Sequence, residues 1–114
     1  MTDNSSLPVQ VRHVLEAAPH EALPMTYQQL AEAVGLRPPR TIQRVALALE
    51  TLMHEDAAQD RPFIAALIVS RRGEGLPAQG FFDLAVTLGR FSEDPAQHAE
   101  AYREEFRRAM AQRG

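Results

Sequence analysis

Apolar residues recur along this chain at helical spacing in several stretches, separated by proline- and glycine-marked breaks and by one short continuous apolar run. Val11, Val14, Leu15 and Ala18 form the first such face. They predict a helix that opens near Leu7 or Pro8, with Ser6 as cap and proline tolerated in the first turn, and that closes before Pro19. Pro19 to Met25, bracketed by prolines, reads as a loop or a very short edge strand. Thr26 followed by Gln29 has the spacing of a capping box, and Tyr27, Leu30, Ala31 and Val34 repeat helically until Gly35 offers a left-handed stop. Arg37-Pro38-Pro39 blocks simple continuation. A third helix is expected from Pro39 or Arg40, with Ile42, Val45, Ala46, Leu49, Leu52 and Met53 as one core-facing stripe.

The continuous run from Pro62 to Ser70 is short and rich in Ile and Val, which favours a buried strand. Three glycines and a proline between Arg71 and Gly80 predict a hairpin loop, with a return strand through Phe81 and Phe82. Beyond Asp83, Leu84, Ala85 and Leu88 suit a helix while Val86 and Thr87 also suit a strand; a helix to Gly89 is favoured. Ser92, Glu93, Asp94 and Pro95 then start a last helix with Ala99, Tyr102, Phe106, Ala109 and Met110 on its apolar face, ending near Gln112. This order of elements outlines an α+β, mainly helical fold: a winged helix-turn-helix with a β-hairpin wing and an added C-terminal helix. The expected division is a flexible N-terminus over 1–6, the winged-helix domain over 7–90, and a helix over 91–114 that packs on the domain or in a homodimer.

At 114 residues, 45% of them hydrophobic, the chain is sized for one globular domain with a real core. The absence of cysteine excludes disulfides, a thiolate nucleophile and cysteine-based zinc sites. No apolar stretch approaches the roughly 20 residues that span a bilayer, and Met1 to Ser6 is polar, so a cytoplasmic protein without membrane association is expected. All twelve cationic residues are arginine, which removes lysine Schiff-base chemistry and leaves planar guanidinium groups suited to phosphates and base edges, a bias that genome composition also produces. The net charge of −3 works against nonspecific DNA affinity, so the distribution of charge has to decide.

That distribution is uneven. Between Leu36 and Leu49 there are three arginines and no acidic residue, whereas Glu50, Glu55, Asp56 and Asp60 follow. Arg40, Gln43 and Arg44 would sit in the first turns of the third helix, where a helix-turn-helix meets the major groove, with Arg37, Thr41, Arg71 and Arg72 on phosphates. The opposing reading of these arginines is a solvated surface. Leu76 and Phe82 in the wing, and Tyr102, Phe106 and Met110 on the last helix, are the candidate contacts for a protein partner or a second copy, or else parts of the core.

Thr26-Tyr27-Gln28-Gln29-Leu30-Ala31, then Gly35, Arg40-Thr41-Ile42 and Ala48-Leu49, resembles the winged-helix part of alkyltransferase and alkyltransferase-like DNA-repair proteins. The resemblance implies a winged-helix fold, and maps that family's nucleotide-flipping Tyr and Arg onto Tyr27 and Arg40. The family's Pro-Cys-His-Arg segment has no counterpart, since Arg61-Pro62-Phe63-Ile64-Ala65-Ala66 precedes the wing, and this excludes alkyl transfer.

Catalytic signatures are absent from the pattern. His13, His20, His54 and His98 are scattered, and His54-Glu55-Asp56 has no metal-ligand spacing. The expectation is therefore not an enzyme but a duplex-DNA-binding regulator, transcriptional or defence-related, without cofactor or metal. The alternative is a protein-protein interaction module on the same fold without DNA binding.

Overall fold

The computed structural model describes residues 6–72 and 74–113. The expected flexible segment 1–6 lies outside them except for Ser6, and so do Gly73 and Gly114. Helix α1 spans Leu7–Ala17, and Ser6 Oγ accepts a hydrogen bond from Val9 N at its start. A single 3₁₀ turn, His20–Ala22, leads to strand β1, Met25–Thr26, and directly into α2, Tyr27–Ala33. The capping box forms in full: Thr26 Oγ1 accepts from Gln29 N, and Gln29 Oε1 accepts from Thr26 N. Helix α3 runs Thr41–Ala58, later than expected, because Arg40 takes a left-handed conformation (φ 62°) and serves as the N-cap residue.

Three helices stop by the same device. Gly35, Asp60 and Gly89 each have positive φ after the last turn of α2, α3 and α4 (Gln79–Thr87). The following residue's N–H then reaches back to the last turn, as Leu36 N to Ala31 O, Arg61 N to Asp56 O and Arg90 N to Ala85 O. Glycine adopts this conformation without steric cost at two of the ends; Asp60 holds it at the third.

The apolar run that reads as a buried strand behaves otherwise. Its first part, Ile64–Leu67, winds into a 3₁₀ turn, leaving Ile68–Val69 as strand β2. Two buried carboxylates impose this: Glu105 Oε2 accepts from Phe63 N at 2.7 Å and Asp56 Oδ2 from Ile64 N at 2.9 Å. Strand β2 pairs in parallel with β1, Met25 opposite Ile68 and Thr26 opposite Val69, so the edge strand foreseen before α2 exists, while among the described residues no β-hairpin wing is formed. The loop after β2 closes through Ser70 N to Leu76 O at 2.8 Å. Phe81 and Phe82 belong to α4 rather than to a return strand. Neighbours on a strand face opposite ways, whereas both phenylalanines must be buried, and a helix start accommodates two adjacent apolar residues on one broad face. The result is a mainly helical α+β fold with a two-stranded parallel sheet.

A third 3₁₀ turn, Pro95–Gln97, is capped by Asp94, whose Oδ1 accepts from Ala96 N, and α5 follows over His98–Arg113. Helix α5 completes the core of its own chain: Tyr102 and Ala109 are buried, and the Tyr102 hydroxyl donates to Ala66 O at 2.8 Å. Phe81 sits at the centre of an aromatic cluster, edge-on to Phe63, Phe82, Phe91 and Tyr102 with centroids 5.4–6.0 Å away. Two of the residues expected as partner contacts, Phe82 and Tyr102, are therefore core residues, and Leu76, Phe106 and Met110 are half-buried against that core.

Candidate nucleic-acid interface

Three local structures converge on one face. The capping box fixes the first turn of α2 and holds Tyr27 so that its hydroxyl accepts a hydrogen bond from Ala78 N at 3.1 Å, tying α2 to the end of the loop after β2. Burial raises the phenol's pKa; the nearby Glu50 charge adds to this and the Ala78 N–H opposes it. The neighbouring Gln28 is exposed and donates to the Glu32 carboxylate.

The connection from Val34 to Arg40 is longer than the turn of about three or four residues common in helix-turn-helix units. It contains a cis Pro38–Pro39 bond and ends on left-handed Arg40, whose side chain makes no capping hydrogen bond to the helix. The N–H groups at the head of α3 thus lack a side-chain acceptor at the positive end of the helix dipole, where anions are favoured. Arg44 folds back instead: its Nη1 donates to Arg37 O at 3.1 Å and Pro39 O at 3.4 Å, clamping the turn from the following helix.

The third component is the turn after β2. Ser70 Oγ accepts from Arg72 N, and Arg71 and Arg72 project into solvent. Together Tyr27, Gln28, Ile42, Ser70, Arg71 and Arg72 line an open groove of about 660 Å³. The cationic residues expected from sequence are thereby sorted. Arg71 and Arg72 line the groove, Arg37, Arg40 and Thr41 lie in the turn and at the head of α3 that lead to its wall residue Ile42, and Gln43 and Arg44 are exposed on α3 just beyond it.

One residue here was not legible as surface. Ile42, expected in the core stripe, is 41% exposed because the first turn of α3 extends past the packed interior. Leu47 is 56% exposed, and its spacing from Val45 and Leu49 already places it off the buried stripe. The His54-Glu55-Asp56 group separates as adjacent helical positions do, with His54 and Glu55 exposed and Asp56 buried against arginines.

Among the described residues, the guanidinium groups of Arg37, Arg40, Arg71 and Arg72 make no hydrogen bond or ion pair within the chain. Arginines elsewhere are mostly engaged: Arg12 and Arg61 with Asp56, Arg90 and Arg108 with Glu105, Arg107 with Glu104, and Arg113 with the carbonyls of Leu15, Glu16 and Ala18. Fold and site together define a mainly helical α+β protein with a cationic groove built by α2, α3 and the turn after β2. The chain matches no protein-family model, no curated protein and no solved structure. Among the described residues, no helix is long and apolar enough to cross a membrane.

Proposed function

We propose that this protein binds duplex DNA, as a transcriptional or defence-related regulator and not as an enzyme. The α2–α3 pair acts as a helix-turn-helix, and the turn from Ser70 to Leu76 stands in the place of a wing. The observation that carries this reading is a pair of exposed arginines, Arg71 and Arg72, lining one groove with Ile42 of α3, with two more, Arg37 and Arg40, in the turn that leads into α3, all four without partners among the described residues, in a chain of net charge −3. An acidic protein gains little from diffuse attraction to phosphates, so local cations must supply it. The uncapped amides of α3 add phosphate donors at the same place.

Fluorescence anisotropy with a mixed-sequence duplex at low and moderate salt tests the proposal. Each phosphate contact contributes about 0.9 to the slope of log affinity against log salt, so Arg37→Ala/Arg40→Ala and Arg71→Ala/Arg72→Ala should each flatten it by about 2. An unchanged slope in both variants, or no binding even at low salt, defeats the placement. Arg44 is left in place because it clamps the turn.

A second reading, a protein-interaction module, draws support from a mainly apolar groove of about 390 Å³ formed by Pro24, Gly75, Tyr102, Arg103, Phe106 and Arg107. A stoichiometric protein complex that survives high salt and nuclease would favour it over DNA.

A further inference from the structure

Only part of the exposed face of α3 is free to meet a base edge. Arg44, four residues beyond the cap, spends its Nη1 on the carbonyls of Arg37 and Pro39. Thr51 turns its hydroxyl inward to Leu47 O at 3.3 Å. Gln43 and Leu47, by contrast, stand about one turn apart on the same outward line, opposite the buried Val45, Leu49 and Leu52. The Gln43 amide makes no hydrogen bond among the described residues, and Leu47, at 56% exposure, is the most exposed large apolar side chain among them. Single exposed apolar residues are ordinary on protein surfaces. Here, however, two of the three, Ile42 and Leu47, fall in the first turns of α3 beside the unpartnered arginines, and the third, Val9, lies on α1.

We infer that Gln43 and Leu47 read A·T base pairs in the major groove, a step that rests on the duplex-binding reading above and specifies its substrate. A glutamine amide carries a donor and an acceptor side by side, the complement of adenine N7 and N6–H₂. An isobutyl group offers no hydrogen bond and matches the one apolar feature of the major groove, the thymine methyl. Guanine would call for a free Arg within this line; Arg44, which adjoins it, has its Nη1 held by the turn, and the free Arg40 stands before it at the cap, among the phosphate contacts. Four residues advance about 6 Å along the helix, close to two base-pair steps of about 3.4 Å, so the two contacts fall two base pairs apart in one short A·T-containing core. The unpartnered arginines then hold phosphates on either side and carry no sequence preference.

Selection from a randomised duplex library, followed by anisotropy on the enriched sequence, tests this. The expected outcome is an enriched A·T core in which replacing one thymine by uracil weakens binding about fourfold, the worth of one buried methyl. Leu47→Ala should bind the thymine and uracil duplexes equally. Gln43→Ala should lose about tenfold for the A·T core while its affinity for a scrambled duplex stays the same. Both side chains are exposed, so unchanged melting temperatures verify the fold. Salt-sensitive DNA binding without A·T enrichment, or an enriched site indifferent to uracil and to both substitutions, overturns this inference and leaves the duplex-binding reading standing. No binding to any duplex at low salt overturns both.

Discussion

Arginines on the two sides of this molecule carry the same charge and do opposite things. Beneath α1, α3 and α5, they are brought to buried carboxylates. Asp56, 1% exposed, meets Arg12 and Arg61 at 3.0 Å each, and Glu105, 2% exposed, meets Arg90 at 2.6 Å. Arg90 also donates to Arg61 O and lies 4.3 Å over the Phe63 ring, so the segment from Arg61 to Ile64 is held from several directions. At the groove, Arg71 and Arg72, and in the turn leading into α3, Arg37 and Arg40, find no carboxylate among the described residues. The difference teaches that the cationic character of a surface depends on where the carboxylates are buried, not on where arginine is abundant. The paired arginines are fold components; the unpaired ones are available to a ligand.

The largest test of that division is Asp56→Ala. It strands Arg61 and the Ile64 N–H and leaves Arg12 with Glu55 alone, and should cost about 3 kcal/mol in denaturant unfolding. A loss below about 1 kcal/mol would mean that the pairs do little to hold the fold. Glu105→Gln keeps an acceptor for Phe63 N while removing the charge facing Arg90, for an expected loss of about 1.5 kcal/mol by the same measurement.

Alkaline titration sharpens the comparison because each side has one tyrosine, and with no Lys and no Cys the tyrosines are the side chains titrating from about pH 9 to 12. Burial raises the pKa of both phenols, further for Tyr102. The folded state therefore favours the neutral form. Its stabilisation is complete below the unfolded value of about 10 and declines as pH rises from there toward the folded pKa, by about 1.4 kcal/mol per pH unit for each phenol kept neutral. Melting temperatures from pH 8 to 11.5 should fall accordingly, and Tyr102→Phe should remove the larger share of the fall while costing about 1 kcal/mol near neutrality through the lost bond to Ala66 O. A flat profile in the wild type would contradict the burial of both rings.

The smallest effect belongs to the groove. Arg37→Ala, Arg71→Ala and Arg72→Ala should each shift stability by less than about 0.5 kcal/mol, since no internal contact is lost. A loss comparable to that of Asp56→Ala would show that these residues are structural after all.

How far the sequence could be read follows from the range of the interactions involved. The start of α2 was legible because both halves of its capping box lie within four successive residues, and its end because Gly35 stands next to the last turn. The extent of α1 and the core positions Val45, Leu49, Leu52 and Met53 follow from helical period alone. The groove was legible in part: Arg71 and Arg72 were expected to serve one surface with the head of α3, but Gln28 and Ile42 were not.

What the sequence by itself determined are devices closed between near neighbours: the caps of α1 and α2, the left-handed stop at Gly35 and the apolar stripe of α3 from Val45 to Met53. What only the tertiary structure decided is every outcome resting on a distant partner. The 3₁₀ turn at Ile64–Leu67 depends on Glu105, the parallel pairing of β2 on Met25–Thr26, and the folding of Phe81 and Phe82 into a helix on an aromatic cluster assembled from separate elements. The physical reason is that backbone N–H groups, aromatic rings and guanidinium groups are each satisfied by several kinds of partner, and the packed chain alone fixes which one comes within reach.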